Sequence, residues 1–181
     1  MSGVDVLQGE RLRLRAIESE DASVKAQWLN DPETRYTLHY SYPIAKTATR
    51  EWCRELYKRR DHVEMIVETV PDSQPIGYCG LKSIDMRSRK AEAYIAIGEA
   101  GFRGQGYGRE AWSVLLGYAF FELGLRRVYL YTWVENTALI RMAESLGFRR
   151  EGVLRGDVFA QGEFRDRVVM GVFSNEVRAE I

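Results

Sequence analysis

The sequence predicts a single α+β domain, and three observations support this fold class. Short segments that alternate apolar and charged residues, such as 11–16, are typical of half-buried strands. Longer segments with apolar residues at helical spacing, such as 111–123, are typical of helices that pack on a sheet. The chain has 181 residues, of which 45% are hydrophobic, and this is enough for one substantial core. Because no repeat, low-complexity stretch or linker divides the chain, we predict one domain over residues 10–175.

The predicted elements follow the order β-α-α-β-β-β-α-β-α-β-β. The strands are recognised by alternation or by short apolar runs between turn residues, and they are predicted at 11–16, 64–70, 76–84, 91–98, 128–133, 153–160 and 163–173. The helices are recognised by apolar stripes, and they are predicted at 19–29, at 47–60, from about 106 to about 123, and at 137–146. The residues Asn30-Asp31-Pro32-Glu33 end the first helix, so the connection after it is predicted as a loop.

Composition excludes several classes of function. Positive and negative residues balance at 26 each, so no basic surface sized for nucleic acid is expected. Cys53 and Cys79 lack the spacing of a zinc site or a disulfide framework, so we expect two buried thiols and no metal. No apolar run approaches membrane-spanning length and residues 1–5 do not form a signal peptide, which predicts a cytoplasmic protein without a membrane partner.

A glycine-rich segment lies between the predicted strand at 91–98 and the long helix after it, with the sequence Arg103-Gly104-Gln105-Gly106-Tyr107-Gly108-Arg109. Glycines at the start of a helix leave the N–H groups of its first turn uncovered, and the helix dipole makes that end positive. Phosphate oxygens bind at such ends, and Arg103 adds a fixed positive charge. The segment therefore predicts a phosphate-binding loop.

Other interpretations of these glycines are open at this point. Residues 106–111 also fit the G-x-G-x-x-A pattern of dinucleotide-binding proteins. That motif normally follows the first strand of its domain and is joined by an acidic residue about 20 positions later. Here four predicted strands come first, and the later place holds Arg126-Arg127. A Walker-type loop is excluded because no Lys-Ser or Lys-Thr follows the glycines, whereas an ordinary glycine-rich loop before a helix stays an alternative.

Two motifs and the order of elements resemble the GCN5-related N-acetyltransferases (GNAT), which bind acetyl-coenzyme A. The first motif is R-x-x-G-x-G at 103–108, and the second is Asn136 ahead of a helix that ends in Leu146-Gly147-Phe148. The resemblance covers roughly residues 10–173 and implies a mixed, mostly antiparallel sheet with flanking helices. It also implies that loop 103–109 binds the pyrophosphate and that Asn136 binds the pantetheine arm. A plain helix N-cap is the other role that Asn favours at such a position.

The same resemblance implies a site for acetyl transfer to a primary amine. In this fold the strand before the glycine loop diverges from its neighbour. The free backbone groups of Ile95, Ala96 and Ile97 are therefore expected to hold pantetheine and polarise the thioester carbonyl. Glu92 stands at the place of the strand glutamate in histone acetyltransferases of the superfamily, and it is the candidate base. An ordinary surface glutamate is the alternative.

The proton donor to the leaving thiolate is a departure from the family pattern. Many members carry a tyrosine in the helix after the Asn motif, where this chain has Ala143. This leaves Tyr131 as the candidate acid, with Ser145 or water as alternatives.

The branch that this chain resembles contains ribosomal-protein N-terminal and spermidine acetyltransferases. The residues that carry this resemblance are 9–15, 28–33 and 151–166. Amino-sugar and antibiotic acetyltransferases belong to the same branch, so the acceptor stays open. The competing class is a non-catalytic acyl-CoA-binding protein of the same fold, and a homodimer is an open alternative to a monomer.

Aromatic residues cluster before and within the loop between the two N-terminal helices: Trp28, Tyr36, His39, Tyr40 and Tyr42. In this fold the loop borders the acceptor side of the site, so we predict that these side chains bind the amine. An aromatic rim with little excess charge suits a peptide N-terminus or a small amine metabolite better than a polycation. The alternative is that the rings pack into the core, as large aromatics usually do.

Overall fold

The computed structural model describes residues 6–38, 43–160 and 162–178, with the side chains of 36–38 left outside the description. Its strands are β1 Val6–Gln8, β2 Leu12–Ala16, β3 Val63–Thr69, β4 Pro75–Asp85, β5 Lys90–Ile97, β6 Arg127–Trp133, β7 Arg149–Ala160 and β8 Glu163–Phe173. Its helices are α1 Ala22–Asn30, α2 Pro32–Leu38, α3 Lys46–Leu56, α4 Tyr107–Gly117 and α5 Thr137–Ser145. The predicted α+β class is confirmed.

The described strands form one sheet in the order β1-β2-β3-β4-β5-β6-β8-β7. All neighbouring pairs are antiparallel except β5 and β6, which run parallel. The parallel pair is short, because it extends only from Lys90 opposite Arg127 to Glu92 opposite Tyr129. Beyond Glu92 the two strands are unpaired, so a cleft opens in the middle of the sheet.

The sheet carries a hydrophobic core on each face. The larger core contains the buried residues of α4 and α5, such as Trp112, Leu115 and Ile140. The smaller core contains residues of α1 and α3, such as Trp28 and Cys53, packed on Tyr78 and Ala96 of the sheet. Side chains of a strand alternate between faces, so β4 and β5 send one set of residues to each core.

Three local features differ from the sequence prediction. Strand β1 was not predicted, since its three residues are too few to show a period. Helix α2 stands where a loop was predicted. Pro32 occupies its first position, where the missing N–H costs nothing, and the side chain of Asp31 accepts the N–H of Thr34 at 3.0 Å. Helix α4 ends at Gly117, and residues 118–122 continue as a π-helical turn.

Several expected absences can be compared with the described part of the chain. There, no helix is long and apolar enough to cross a membrane. No group of three His, Cys, Asp or Glu side chains that could hold a metal occurs among the same residues. Cys53 and Cys79 are both buried thiols, as predicted, and burial raises the pKa of each.

Candidate active site

The opening between β5 and β6 forms a cavity of about 560 Å³, here called the interstrand cleft. Its wall on the β5 side is made by Ile95, Ala96 and Ile97, the residues predicted to present free backbone groups. The pairing of β5 with β6 stops at Glu92, three residues earlier, which is the divergence that the resemblance implied. The indole N–H of Trp112 donates to the carbonyl oxygen of Tyr94 at 3.3 Å inside this opening.

The glycine loop closes one end of the interstrand cleft at the start of α4. Gly104 and Gly106 have φ of 72° and 87°, which L side chains rarely adopt, and Gly106 is the N-cap of α4. A Cβ at Gly108 would lie 3.3 Å from the sulfur of Met142 on α5, so this glycine permits the two helices to approach. The loop therefore has the strand–glycine–helix geometry of an anion-binding site.

The side chain of Arg103 is bound within the protein. Its guanidinium donates to the carbonyl oxygens of Ile97 and Gly98, both at 2.9 Å, and to the carboxylates of Asp31 at 3.2 Å and Glu33 at 2.5 Å. These bonds join the loop to the start of α2. Arg103 also lines the interstrand cleft, and its predicted role in binding phosphate stays a prediction.

Arg11 is a positive charge beside the loop that the sequence did not single out. Its guanidinium lies 4.6 Å from the centre of the Tyr107 ring and donates to the carbonyl oxygen of Gln105 at 3.1 Å. It also bonds Glu110 of α4 at 2.9 Å. Arg11 and Gln105 are 94 positions apart in the sequence, and the packing of α4 against β2 brings them together.

Asn136 acts as the N-cap of α5. Its side-chain oxygen accepts the N–H of Leu139 at 3.2 Å, and its amide nitrogen donates to the hydroxyl of Thr132 at 3.0 Å. Asn136 also lines the interstrand cleft, so the structural role is confirmed and the predicted contact with pantetheine stays a prediction.

The position of the missing family tyrosine, Ala143, is fully buried. Ser145 accepts a hydrogen bond from Arg109 at 3.2 Å and is exposed beyond the described lining of the interstrand cleft. Arg109 lines the interstrand cleft, and its predicted contact with the cofactor stays a prediction.

The two candidate acid–base residues both line the interstrand cleft. Glu92, on β5, is mostly buried and forms an ion pair with Lys82 of β4 at 3.0 Å. Tyr131, on β6, lies under the guanidinium of Arg167 at 4.9 Å and packs edge-on against Tyr129 at 5.7 Å. The structure thus places both candidates in the cleft without testing their roles.

A second cavity of about 340 Å³ lies under α1 and α3, on the face of the smaller core. We call it the aromatic pocket, and the residues that matter here are Lys25, Trp52, His62, Glu64, Tyr78 and Tyr94. Lys82 and Tyr94 line both this pocket and the interstrand cleft. The two cavities therefore meet at one stretch of β4 and β5.

A buried ion pair crosses the aromatic pocket. The ammonium of Lys25 on α1 contacts the carboxylate of Glu64 on β3, and both side chains are at most 6% exposed. The same ammonium lies 3.7 Å from the centre of the Trp52 ring and 4.7 Å from that of Tyr78. Burial lowers the pKa of Lys25 and raises the pKa of Glu64, while their mutual attraction opposes both shifts.

Tyr94 is the centre of a hydrogen-bonded chain in the aromatic pocket. Its hydroxyl donates to Glu64 at 2.8 Å and lies 2.7 Å from Nε2 of His62. Burial lowers the pKa of His62 to about 4, assisted by the positive charges of Arg59 and Lys25, so this imidazole is neutral at neutral pH. The sequence analysis did not predict any of these three residues as part of a site.

The residues predicted to form the acceptor rim have different outcomes. Trp28 is 2% exposed, stacks near Tyr78 and donates its indole N–H to Glu99 at 2.7 Å. It lies in the smaller core and outside the described lining of both cavities, so its placement supports the alternative that it packs in the core. The side chain of Tyr36 and the residues His39, Tyr40 and Tyr42 lie outside the described residues.

The divergent parallel strands, the glycine-capped helix and the cleft between them define an acyl-CoA-binding transferase site. Acetyl-CoA fits its residues because two loop glycines have backbone conformations that leave the helix end bare, and β5 presents unpaired main chain.

Comparison with known proteins identifies the family. The acetyltransferase (GNAT) domain matches residues 11–149, and the chain belongs to that family. It is 30% identical to the uncharacterized N-acetyltransferase p20 of Bacillus licheniformis, over 96% of this chain and 98% of that protein. It is 27% identical to spermidine N(1)-acetyltransferase of Escherichia coli K12, over 93% and 89%.

A solved structure agrees with these relatives. Spermidine N-acetyltransferase from Vibrio cholerae, in complex with CoA and spermine, superposes with a TM-score of 0.86 at 25% identity. The superposition covers 92% of this chain and 97% of that one. The chain is an acetyl-CoA-dependent N-acetyltransferase that acts on amines.

Proposed function

We propose that this enzyme acetylates an acceptor with a single ammonium group, such as a small amine metabolite or a peptide N-terminus, in preference to a polyamine. The observation that carries the proposal is the charge of the two cavities. A polyamine has several ammonium groups, and a site for it needs carboxylates that the protein leaves available to them.

The carboxylates that line the described cavities are all engaged by cations of the protein. Glu33 faces Arg103, Glu64 faces Lys25, and Glu92 faces Lys82. The described lining of the aromatic pocket contains two lysines and one glutamate, and His62 there is neutral. A second ammonium entering this pocket therefore finds no carboxylate among the described lining residues that is not already paired with a lysine, and its desolvation is not repaid.

Two aromatic rings of the pocket are also already in contact with a cation of the protein. Trp52 and Tyr78 would suit a substrate cation, because ring faces attract ammonium groups. The ammonium of Lys25 already lies against both rings at 3.7 and 4.7 Å. The protein thus contains its own cation at the place where a polyamine would put one.

The interstrand cleft contributes the other half of the reaction. Acetyl-CoA supplies the acetyl group and, after transfer, leaves as a thiol. We propose that the backbone of Ile95, Ala96 and Ile97 positions and polarises the thioester carbonyl, and that the loop at 103–109 binds the pyrophosphate. Tyr131 in the same cleft is the proposed proton donor to the leaving thiolate, and kcat of a Tyr131→Phe variant tests it.

The relatives that act on spermidine support the enzyme class and make the acceptor test decisive. Release of free CoA thiol should be measured with acetyl-CoA and three kinds of acceptor: small primary monoamines, short peptides with a free N-terminus, and spermidine. We expect kcat/KM for the preferred monoamine or peptide to exceed that for spermidine at least about tenfold, which corresponds to about 1.4 kcal/mol. The physical reason is that a second ammonium is desolvated in the pocket without a carboxylate to pair with it. A preference for spermidine would contradict the proposed acceptor class.

Two further expectations belong to this proposal. Both described cysteines are unpaired thiols, which suits the reducing cytoplasm that we propose as its location. The homodimer stays a prediction that sedimentation of the purified chain can test.

A further inference from the structure

Tyr94 stands at the junction of the interstrand cleft and the aromatic pocket. It lines both cavities, and it immediately precedes Ile95, the first of the three residues proposed to position the thioester. An acceptor amine that enters the pocket and approaches the thioester therefore passes the Tyr94 side chain.

The sheet is built to accommodate this ring. Gly80 of β4 lies opposite Tyr94 in the register of the antiparallel pair. A Cβ at Gly80 would lie 2.5 Å from the Tyr94 hydroxyl and 2.2 Å from the carbonyl oxygen of Val63, so only glycine fits there. The close approach fixes the hydroxyl between β3 and β5, where its hydrogen-bond partners are.

The hydroxyl of Tyr94 connects a proton acceptor to the pocket. It donates to Oε2 of Glu64 at 2.8 Å, and the ring nitrogen Nε2 of His62 lies on its other side at 2.7 Å. Burial, followed by the charge of Glu64, raises the pKa of Tyr94 well above its usual range. The hydroxyl therefore stays protonated, and it can pass a proton on but does not store one.

The surroundings of Glu64 allow its charge to change. If Glu64 accepts a proton, Lys25 loses its anionic partner inside the protein. The Trp52 and Tyr78 rings, 3.7 and 4.7 Å from the Lys25 nitrogen, continue to stabilise the ammonium when that happens. Burial also favours the neutral form of Glu64, so its carboxylate is a stronger base than an exposed glutamate.

We infer that Tyr94 takes a proton from the acceptor ammonium and passes its own hydroxyl proton to Glu64, so that Tyr94 is a catalytic residue of the acceptor site. This inference rests on the proposed location of the acceptor. The transfer leaves a neutral amine, an intact tyrosine hydroxyl and a protonated Glu64. The amine nitrogen then forms a bond to the acyl carbon while the carbon–sulfur bond breaks. Tyr131 donates its hydroxyl proton to the thiolate and regains a proton from the second N–H of the amine. Glu64 returns its proton to water by way of Tyr94 and His62.

Other ionisable groups around Tyr94 and Glu64 also affect this proton transfer. Those that interact electrostatically with Glu64 or Tyr94, or contact them, are Lys25 of α1, Cys53 of α3, His62 just before β3, and Tyr78, Cys79 and Lys82 of β4. Of these, Lys25 and Lys82 are cations, and both oppose the arrival of a second positive charge. The proton must therefore move to Glu64 as the amine becomes neutral.

Glu92 is the competing proton acceptor, and it lies two residues from Tyr94 on the same face of β5. The Glu92 carboxylate forms an ion pair with Lys82 at 3.0 Å and lines the interstrand cleft only, whereas Tyr94 lines both cavities. Substituting each residue separately distinguishes the two.

The experiment measures kcat/KM for the acceptor from pH 6.5 to pH 10, at saturating acetyl-CoA, with the best acceptor of the wild-type enzyme. Tyr94→Phe keeps the ring over Gly80 and removes only the hydroxyl. We expect kcat/KM of Tyr94→Phe to fall about 100-fold at pH 7 and less than about fivefold at pH 10, where the amine is already neutral. Glu64→Gln, which can accept the hydrogen bond but not the proton, is expected to show the same pH-dependent loss. The KM for acetyl-CoA should stay within about twofold in both variants, because neither touches the loop.

The exposed Tyr57 provides the matched control, since it lies outside the described lining of both cavities and Tyr57→Phe should follow the wild-type profile. The inference is overturned if Tyr94→Phe stays within about threefold of wild type at every pH. It is overturned equally if the loss is the same at every pH, or if only Glu92→Gln shows the pH-dependent loss. The acceptor used in this experiment is whichever one the wild-type enzyme prefers. A preference for spermidine would therefore contradict the proposed acceptor class, but the role of Tyr94 could still be tested with spermidine.

Discussion

The interstrand cleft and the aromatic pocket share Lys82 and Tyr94, yet they are built in different ways. The cleft is formed by main chain: strands that stop pairing at Glu92 and a helix that begins at Gly106. The pocket is formed by side chains from α1, α3, β3, β4 and β5, and it contains the buried Lys25–Glu64 ion pair. A main-chain site suits a cofactor common to a whole family, whereas a side-chain site can be changed one residue at a time to suit one acceptor.

The largest expected effect comes from breaking the side-chain site. Lys25→Met removes the ammonium and leaves the Glu64 carboxylate buried without its cation, which should lower the free energy of unfolding by about 3–5 kcal/mol. Urea unfolding at pH 7.5 measures this loss. The double variant Lys25→Met/Glu64→Gln should recover most of it, since no buried charge is left unpaired.

The control for this variant is the other Lys–Glu pair at the junction of the cavities. Lys82 is 45% exposed, so Lys82→Met should cost less than about 1 kcal/mol. Equal losses for Lys25→Met and Lys82→Met would show that the buried pair has no special part in the pocket.

The next effect comes from adding a side chain to the main-chain site. Gly106→Asp places a Cβ at a φ of 87° and a negative charge at the bare end of α4. Calorimetry should show acetyl-CoA affinity lowered at least about tenfold, or about 1.4 kcal/mol. The variant Gly106→Asn distinguishes the effect of the charge from that of backbone strain, because asparagine has nearly the shape of aspartate but no charge.

Gly162 offers a matched control with the same φ of 87° in the turn between β7 and β8, and a Cβ there would meet nothing within 4 Å. Gly162→Asp should leave acetyl-CoA affinity unchanged. Wild-type acetyl-CoA affinity in a folded Gly106→Asp variant would show that the loop does not bind the cofactor.

The smallest effect is a pH dependence of the pocket. The pKa of His62 falls from 6.5 to about 4 on folding, so between these values the unfolded chain binds the proton and the folded protein does not. The contribution of His62 to the free energy of unfolding is therefore fully present above pH 6.5, and it is lost as the pH falls toward 4. His62→Gln cannot titrate, so its melting temperature should fall less than that of wild type between pH 7 and pH 4.5, by about 1–3 °C.

Substituting the other histidine, His39→Gln, controls for the loss of an imidazole as such. Parallel pH profiles of wild type and His62→Gln would show that His62 is not held neutral by the fold.

The sequence predicted the parts of the molecule that depend on local rules. The glycine loop was placed correctly between β5 and α4, because bare helix ends and positive φ values require glycine whatever surrounds them. Strand β8 was predicted at its observed bounds, since the turn residues Gln161-Gly162 come directly before it in the sequence. Helix α2 was missed because Pro32 was interpreted as a breaker, although proline is equally suited to the first position of a helix.

The aromatic pocket could not be predicted in this way. Lys25 lies within a predicted amphipathic helix, where a lysine is expected to face water, and its partner Glu64 is 39 residues away. Trp28, three residues later, was predicted at the acceptor rim and lies in the core against Gly98. Nothing local distinguishes the two positions, because burial is decided by where α1 sits on the sheet.

The sequence by itself thus determined the family, the cofactor and the strand–glycine–helix geometry of the loop, because glycine spacing and strand–helix order are properties of contiguous residues. The tertiary structure alone decided which side chains meet in the aromatic pocket: the cation of Lys25 on Glu64, and the hydroxyl of Tyr94 beside His62. The physical reason is that charge pairing and desolvation depend on distances between elements far apart in the chain, which fold packing fixes.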